Sequence, residues 1–456
     1  MANLKITCLG GGSLYFRRAL GDLVLEEDLA GAEIVLYDVD PEKAIRMAAL
    51  GRRLADAAGR SFTVRAARDL ADAADGAAFA LSSIGGSGAE VTPNVYGSHY
   101  HNADMHIPVR YGVHQIIGDT CGPAGMMMAL RAIPAYVAIC RELEKRSPRV
   151  LLLNHSNPMA PLCRALHKHT GIRTVGICHG VQATVRRAAE LLEVPPPELQ
   201  CAWIGTNHYY WLTTVRRRGV DLTAELLRRI RTRLEAGEQT LQLLLSDAYG
   251  YCVGYPGASH LIEFYPFLAQ VGSQEELPYG MVEEARAFGF DERTPLPARP
   301  ATTTEARAEF MDRFQQLLDE TGLPEPQRHD WTAAEGIGSL LAAIHRGRRE
   351  VYVVNLANGG TVPELPAHAV LEVEGVTDAS GVRGIQADPC PPVLKGILEK
   401  RIAWQELVAE AGVTGDRDLA RQALLLDEMA VRPELAGPML AELLEASRDL
   451  LPQFFR

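Results

Sequence analysis

The sequence predicts an α/β fold in which a doubly wound parallel sheet is followed by a helix-rich α+β lobe. Two observations predict it. Strand-like and helix-like apolar segments alternate through the first two hundred residues, and a run of three glycines stands between the first strand and the first helix. Beyond about residue 200 the alternation stops and helical patterns dominate. We therefore expect one domain over residues 1–200 and a second over residues 201–456.

The apolar periodicity also places the individual elements. In the first domain, strands are expected at residues 4–9, 34–37, 79–83, 150–153 and 174–177. Helices are expected there at residues 16–27, 41–57, 124–144 and 182–192. In the second domain the pattern predicts strands at 202–205 and 211–215, a helix at 223–236, an irregular stretch at 249–260, and a strand pair at 350–355 and 369–373.

Composition and charge exclude several classes of function. The formal net charge of the 456 residues is -11, so the chain lacks the basic surface that nucleic acid or an anionic membrane requires. No apolar run approaches the roughly 20 residues of a membrane span, and the first residues enter a strand without a signal-peptide pattern. The eight cysteines are scattered without a Cys-x-x-Cys pair. We expect a cytoplasmic protein with a small-molecule substrate and no disulfide framework.

The glycine run predicts a dinucleotide site. Glycines between a strand and a helix let the backbone approach a pyrophosphate, and the helix N-terminus supplies N–H groups. At the end of the next strand, Asp38 is placed to accept the ribose hydroxyls of NAD and to repel the 2′-phosphate of NADP. The first domain is therefore predicted to be of the Rossmann type. The candidate cofactor-binding residues are Gly10, Gly11, Gly12, Ser13, Asp38 and Gly85.

Polar residues follow the later strands of the predicted sheet. Asn154 and Asn157 come after one strand and Cys178 after the next, and His208 follows 30 residues later. Ligands of open α/β sheets bind at the carboxyl ends of the strands. One thiolate and one imidazole would leave a metal with open positions for substrate. The alternative, a buried apolar cysteine and a core histidine, stays open on the residues alone.

Taken together, the motifs resemble glycoside hydrolase family 4. The resemblance spans nearly the whole chain and is nearest the α-galacturonidase and α-galactosidase branches, rather than the 6-phosphoglycosidases. The motifs that carry it, in chain order, are Gly10-Gly11-Gly12-Ser13, Asp119-Thr120-Cys121-Gly122-Pro123, Asn154-x-x-Asn157-Pro158-Met159, Cys178-His179-Gly180, Gly205-Thr206-Asn207-His208 and Asn355-x-x-Asn358-Gly359.

The resemblance implies an unusual glycosidase with a lactate/malate dehydrogenase-like fold. NAD would oxidise the sugar at C3, a base would then remove the C2 proton, the aglycone would leave from C1, and water and the stored hydride would be added back. A divalent metal would stabilise the charge that develops on the sugar oxygens. Thiolate and imidazole ligands alone favour zinc or iron, whereas the resemblance implies manganese. It also implies a non-phosphorylated hexoside or uronide as substrate and a homodimer or homotetramer.

Site residues are carried over one by one. Cys178 and His208 correspond to the metal ligands, and Asn157, Asn154 and His179 to substrate contacts. Asp119 is the candidate for assisting the leaving group, with the alternative that it only caps the helix beginning near Gly122.

The base is the least determined residue. The uronidase-like pattern is Gly-Asp-Arg-His, whereas this chain has Gly257-Ala258-Ser259-His260. The missing arginine puts a substrate carboxylate in doubt. The missing acid leaves His260, Tyr251 and Tyr255 as candidate bases.

Two other classes of function share the nucleotide fold. A 2-hydroxy-acid dehydrogenase would release NADH and need no cysteine and histidine metal site. An NAD-binding redox regulator would bind NAD without turnover of any glycoside.

Overall fold

The computed structural model describes residues 4–86, 97–254, 257–265, 267, 270–296, 303–325 and 336–456. Its first six strands form a parallel sheet in the order β3-β2-β1-β4-β5-β6, which is the Rossmann order with its reversal between β1 and β4. These strands are β1 (Lys5–Leu9), β2 (Glu33–Tyr37), β3 (Thr63–Ala66), β4 (Phe79–Ser82), β5 (Leu151–Asn154) and β6 (Arg173–Gly176). The predicted doubly wound sheet is confirmed.

Helices connect these strands and cover the sheet. They are α1 (Phe16–Leu25), α2 (Pro41–Ala57), α3 (Leu70–Ala74), α4 (His99–Val109), α5 (Gly122–Arg146), α6 (Met159–His169) and α7 (Gly180–Leu192). The long helices match the predicted ranges to within a few residues. The sequence analysis missed β3 and α3, because segments of four or five residues are too short to show a period. It also gave no range for α4 or α6, which are 11 residues long.

The second half begins with a small sheet and helices. Its elements are β7 (Leu199–Thr206), β8 (Tyr209–Arg217), β9 (Val220–Asp221), α8 (Thr223–Glu235), α9 (Leu241–Tyr249), β10 (Cys252–Val253) and α10 (Ala258–Phe264). The prediction of an irregular stretch at 249–260 is therefore wrong in part, since a strand and the start of a helix lie within it. Both are short, so neither leaves a clear pattern.

The remaining elements return to the first sheet and then form a helical layer. They are α11 (Met281–Ala287), α12 (Thr304–Asp319), α13 (Ile337–Arg346), β11 (Val351–Ala357), β12 (Val370–Asp378), β13 (Gly381–Gly384), α14 (Pro392–Thr414), α15 (Arg417–Leu426) and α16 (Pro433–Ala446). β11 pairs antiparallel with β6, and β12 and β13 extend the same nine-stranded sheet.

The predicted strand pair thus belongs to the sheet of the first domain, not to the second lobe alone. Alternation shows that a segment is a strand but does not show which sheet it joins. Asn355 of β11 lies opposite Gly176 of β6. Gly176 precedes Cys178 by two residues. The division at residue 200 stays a prediction.

One expectation about apolar segments is wrong. Among the described residues, α5 is long and apolar enough to cross a membrane, and 78% of its most apolar window is buried inside the protein. A mostly buried helix of a large core is also long and apolar, and α5 packs against α3, α4, α6, α14 and α15 as such a helix. The eight cysteines are all free and buried, as expected from their scattered positions.

Candidate active site

The glycine turn between β1 and α1 packs its backbone directly against neighbouring strands. Gly10 has a φ of +73°, and a side chain there would overlap the carbonyl oxygen of Ser83. The N–H of Gly11 donates to the carbonyl of Tyr37 over 2.7 Å, at the end of β2. These positions accept only glycine without a shift of backbone, because a left-handed φ or a contact with a neighbouring main chain excludes a Cβ.

Asp38 lies beside this turn and holds it. Its Oδ2 accepts the N–H of Gly12 over 2.8 Å, and its Oδ1 accepts the N–H of Asp40 over 2.9 Å. Ser13 Oγ lies 2.9 Å from Ser83 Oγ, which joins the turn to the end of β4. The predicted cofactor residues are thus gathered at the carboxyl ends of adjacent strands, with Gly85 in the loop after β4.

A second cluster forms from three distant segments. Among the described residues, Asp119, His208 and His260 have potential ligand atoms within 4.8 Å of one another. Asp119 precedes α5, His208 lies in the tight turn between β7 and β8, and His260 is on α10. The φ of His208 is +64°, a backbone conformation that non-glycine residues rarely adopt. In this turn the imidazole lies beside Asp119 and His260.

Asp119 is the centre of the cluster. Its Oδ1 accepts the hydroxyl of Thr120 over 2.5 Å and lies 3.2 Å from His260 Nε2, and its Oδ2 accepts the amide N–H of Asn157 over 2.8 Å. The alternative that Asp119 caps a helix is wrong, because α5 begins after Cys121 and has no side-chain cap. Asp119 instead joins the loop before α5 to the end of β5.

His208 is held as a neutral imidazole. Its Nδ1 lies 2.9 Å from Thr120 Oγ1, and its ring centre lies 4.5 Å from that of His260. Burial lowers the pKa of His208 to about 3, and the neighbouring His260 acts in the same direction. A neutral imidazole has a free ring nitrogen, which is the form that binds a metal.

The charges of Asp119 and His260 stabilise each other. Burial lowers the pKa of His260, but the Asp119 carboxylate outweighs it, so this pKa is raised above its ordinary value. Burial raises the pKa of Asp119, but His260, His208 and the Thr120 hydroxyl outweigh it, so this pKa lies well below its ordinary range. An ionised Asp119 is a poor proton donor, which disfavours its expected role at the leaving group.

Buried charges fix the loop that carries Asp119. Glu263, on the same helix as His260, accepts the N–H groups of Ile116, Ile117 and Gly118 at its Oε1 over 2.7, 2.9 and 2.9 Å. On the other side, Arg401 donates to the carbonyl oxygen of Thr120 over 2.8 Å. The cluster is therefore built on a rigid backbone.

The other predicted site residues occupy different positions. Cys178 is buried just after β6 and is not a member of the three-residue cluster, and His179 is exposed at the start of α7. Tyr251 is half-buried between α9 and β10, and Tyr255 lies outside the described residues. The structure therefore brings together Asp119, His208, His260 and Asn157.

Asn154 is a special case, because it is fully buried. Its Oδ1 accepts the hydroxyl of Tyr136 over 2.6 Å, and its Nδ2 donates to the carbonyl of Ser156 over 2.9 Å. These bonds occupy both ends of the amide, so the position does not support the predicted contact with a sugar. Asn154 instead braces the loop that carries Asn157.

Sequence reasoning missed Thr120, Glu263 and Arg401. Thr120 lies in the motif Asp119-Thr120-Cys121-Gly122-Pro123, and its position next to Asp119 was the one sign of a role in the site. Glu263 follows His260 by one helical turn, which places both on one face of α10. Arg401 is far from the other site residues in the chain, and the residues next to it in the sequence do not indicate that it is buried.

The donor atoms present suit a divalent metal. His208 has a lowered pKa and is neutral, and in the part of the chain that the structure describes its imidazole hydrogen-bonds through Nδ1. The carboxylate of Asp119 and the imidazole of His260 stand next to it, whereas Cys178, which follows β6 in the other sheet, is not part of this group. Such a mixed set of nitrogen and oxygen donors binds first-row transition metals.

Comparison with known proteins shows similarity along nearly the whole chain. The model described as family 4 glycosyl hydrolase matches residues 5–194, and that of the family 4 glycosyl hydrolase C-terminal domain matches residues 203–430. The alpha-galactosidase of Bacillus subtilis is 27% identical over 457 residues, which cover 99% of each chain. The alpha-galacturonidase of the same species is 29% identical over 439 residues, which cover 93% of each.

Solved structures share the fold. The structure of lplD from Bacillus subtilis has a TM-score of 0.77 at 26% identity and covers 97% of this chain and 99% of that one. The 6-phospho-beta glucosidase of Thermotoga maritima, solved with manganese, NAD+ and glucose-6-phosphate, has a TM-score of 0.73 at 21% identity, covering 98% and 99%. A lactate dehydrogenase from Eimeria maxima has a TM-score of 0.52 at 12% identity, covering 91% and 96%. The expected lactate dehydrogenase-like fold is confirmed.

Proposed function

This chain belongs to family 4 of the glycosyl hydrolases, and from that premise we propose that it cleaves α-linked, non-phosphorylated hexosides with NAD and manganese. NAD would be returned unchanged at the end of each cycle. Relatives named alpha-galactosidase and alpha-galacturonidase, aligned along 93% or more of this chain, support the substrate class. A neutral hexoside fits better than a uronide, because position 259 is serine where the uronidase-like pattern has arginine.

The nucleotide end of the site supports the cofactor. When bound, NAD accepts and returns a hydride at the sugar's C3, and manganese stabilises the negative charge that develops on neighbouring sugar oxygens. The glycine turn holds the pyrophosphate on its backbone N–H groups, and Asp38 holds the ribose hydroxyls. Other divalent metals are alternatives to manganese, as the mixed donor set allows.

Protein groups around the sugar divide the remaining tasks. Cys178 and His208 hold the metal, with the imidazole neutral. Asn157 donates its N–H to Asp119, which leaves its carbonyl oxygen to accept a sugar hydroxyl. His179, exposed at the start of α7, is the second substrate contact.

His260 is the base that removes the C2 proton. The single observation that carries this assignment is the 3.2 Å between its Nε2 and the Asp119 carboxylate. A carboxylate at one ring nitrogen orients the imidazole and stabilises the cation formed when the other nitrogen takes a proton. A tyrosine would start from a pKa of about 10, so histidine needs less adjustment to act near neutral pH.

The proposal is tested with nitrophenyl α-galactoside and α-glucoside, the 6-phosphates of these two hexosides, and nitrophenyl α-galacturonide, in the presence of NAD, manganese and a thiol. We expect release from a neutral α-hexoside without net NADH and, in heavy water, deuterium at C2 of the released sugar. Cleavage without deuterium at C2 would contradict the elimination route. Oxidation of a 2-hydroxy acid with NADH release would instead favour a dehydrogenase, and NAD binding without any turnover a regulator.

The quaternary state and the cytoplasmic location are part of the same proposal. A homodimer or homotetramer is expected from the family, and sedimentation velocity of the purified chain with and without NAD measures it.

A further inference from the structure

We propose that Thr120 is a positioning residue that sets the proton of His208 on Nδ1 and thereby leaves Nε2 free to bind the metal. The inference rests on the proposed function, because it concerns the metal of that site. It adds a residue and a physical role, the choice of tautomer, to the ligand His208.

The direction of two hydrogen bonds follows from counting protons. Thr120 Oγ1 lies 2.5 Å from Asp119 Oδ1 and 2.9 Å from His208 Nδ1. A hydroxyl has one proton to donate, and an ionised carboxylate can only accept. The Thr120 proton therefore goes to Asp119. The hydroxyl oxygen must then accept a proton from His208, and the only one available is on Nδ1.

The consequence for His208 is a single tautomer. With Nδ1 protonated, the lone pair of a neutral imidazole is on Nε2, and among the described residues the hydrogen bond of this imidazole is the one at Nδ1. Ligating histidines are generally fixed in this way, by a partner that accepts the proton of the other ring nitrogen. Here the Thr120 hydroxyl accepts that proton and donates its own to the Asp119 carboxylate.

Thr120 is itself held in place by the second half of the chain. Arg401 of α14 donates to its carbonyl oxygen over 2.8 Å, and Glu428 accepts from Arg401 over 2.7 Å. The N–H of Gly122 donates to Asp427 over 2.9 Å. Thr120 is buried, so water does not readily replace its hydroxyl. The hydroxyl is thus fixed relative to both Asp119 and His208.

The tautomer can be read in the metal-free protein. We would label histidine with ¹⁵N, assign the His208 signals by their loss in His208→Gln, and compare wild type, Thr120→Val and Thr120→Ser. We expect Nδ1-protonated neutral His208 in wild type and Thr120→Ser, and a mixture with the Nε2-protonated form in Thr120→Val. An Nε2-protonated wild type, or an unchanged tautomer in Thr120→Val, would overturn the proposal.

Metal affinity gives a second readout. Free Mn²⁺ is counted by electron paramagnetic resonance as protein is titrated. We expect Thr120→Val to bind Mn²⁺ roughly 10- to 100-fold more weakly, the usual effect of removing such an outer partner, and Thr120→Ser to stay within about threefold of wild type. Equal affinities in Thr120→Val and wild type would refute the role of the hydroxyl.

A matched control separates this effect from the loss of any buried hydroxyl. Thr7 in β1 is fully buried, and its Oγ1 donates to the carbonyl of Ala73 over 2.7 Å. Thr7→Val should keep the wild-type affinity for Mn²⁺. If wild type hydrolyses no glycoside and binds no Mn²⁺, the proposed function fails, whereas the tautomer measurement still decides the arrangement of Thr120 and His208.

Discussion

The nucleotide turn and the histidine cluster are built in opposite ways. The turn itself is a run of consecutive residues, and its geometry depends on the absence of side chains at Gly10 and Gly11, where neighbouring strands approach its backbone. The cluster uses Asp119, His208 and His260, three side chains that meet only because α10, the β7–β8 turn and the loop before α5 pack together. A local backbone requirement leaves a mark in the sequence, whereas a meeting of distant side chains is set by the fold.

The difference also appears in the physical forces involved. At the turn, main-chain hydrogen bonds and close contacts decide which residue fits. In the cluster, burial and neighbouring charges move the pKa values of Asp119 and His260 in opposite directions, lowering the first and raising the second. We therefore expect substitutions in the cluster to act on chemistry and substitutions in the turn to act on cofactor binding and stability.

The largest effect is expected from His260→Gln. Loss of a general base lowers kcat by about 10² to 10⁴-fold, and deuterium incorporation at C2 should fall in parallel, since both depend on the same proton transfer. Affinity for NAD should change by less than about threefold, because the turn is unaffected. Steady-state kinetics and exchange in heavy water measure the first two, and fluorescence titration measures the third.

Tyr251→Phe is the matched variant for this test. It removes the competing hydroxyl and keeps the ring, so kcat should stay near wild type. A loss of C2 exchange in Tyr251→Phe, with exchange retained in His260→Gln, would move the base from the histidine to the tyrosine.

The sequence predicted the nucleotide turn better than the histidine cluster. The glycine turn and Asp38 could be predicted, because each role is satisfied by neighbouring backbone. The doubly wound parallel sheet followed from alternation, but the order of its strands and the membership of β11 did not, since pairing partners lie far apart. Thr120 and Arg401 were missed, because burial and hydrogen-bond direction appear only when the segments meet. The proximity of His260 and Asp119 is likewise a property of the fold.

The second largest effect is expected from Gly10→Ala. An alanine Cβ would overlap the Ser83 carbonyl in a backbone with positive φ, which costs about 3 kcal/mol in strain and displaced main chain. The unfolding temperature should fall, and NAD affinity should fall at least roughly tenfold, as the displaced turn no longer fits the pyrophosphate.

Gly396→Ala in α14 is the control for that substitution. No atom lies within 4 Å of a Cβ built there, so the variant should unfold at the wild-type temperature or slightly above it, as alanine is favoured over glycine within helices. Equal effects of the two alanines would show that the close packing at Gly10 is not what requires glycine.

A moderate, pH-dependent effect is expected from Glu263→Gln, which tests the support of the cluster. Burial raises the pKa of Glu263 from 4.5 to about 7, against the three N–H groups that lower it. Through this one group, wild type is therefore most stabilised relative to the unfolded chain below about pH 4.5. It loses up to about 3 kcal/mol as the pH rises through 7, because the unfolded chain ionises first.

Glutamine mimics the protonated acid and keeps the acceptor for the three N–H groups. The unfolding temperature of wild type, measured relative to that of Glu263→Gln, should therefore fall between about pH 4.5 and 7 and level off above. The exposed Glu235→Gln serves as the control for loss of one charge. A constant difference between wild type and Glu263→Gln over this range would mean that Glu263 is ionised throughout.

The smallest effect is expected from Asp38→Asn, at the turn. Asparagine keeps one oxygen to accept an N–H, so the turn survives, but it loses the charge that holds the ribose hydroxyls. A charge-assisted hydrogen bond contributes about 1.5 kcal/mol, so NAD affinity should fall about tenfold, and the preference for NAD over NADP should narrow. Asp38→Ala also releases the N–H groups of Gly12 and Asp40, so it should weaken NAD further and lower the unfolding temperature. If the two variants bind NAD equally, the carboxylate acts on the ribose alone and the turn holds itself; a larger loss in Asp38→Ala assigns part of the cofactor affinity to the backbone that Asp38 supports.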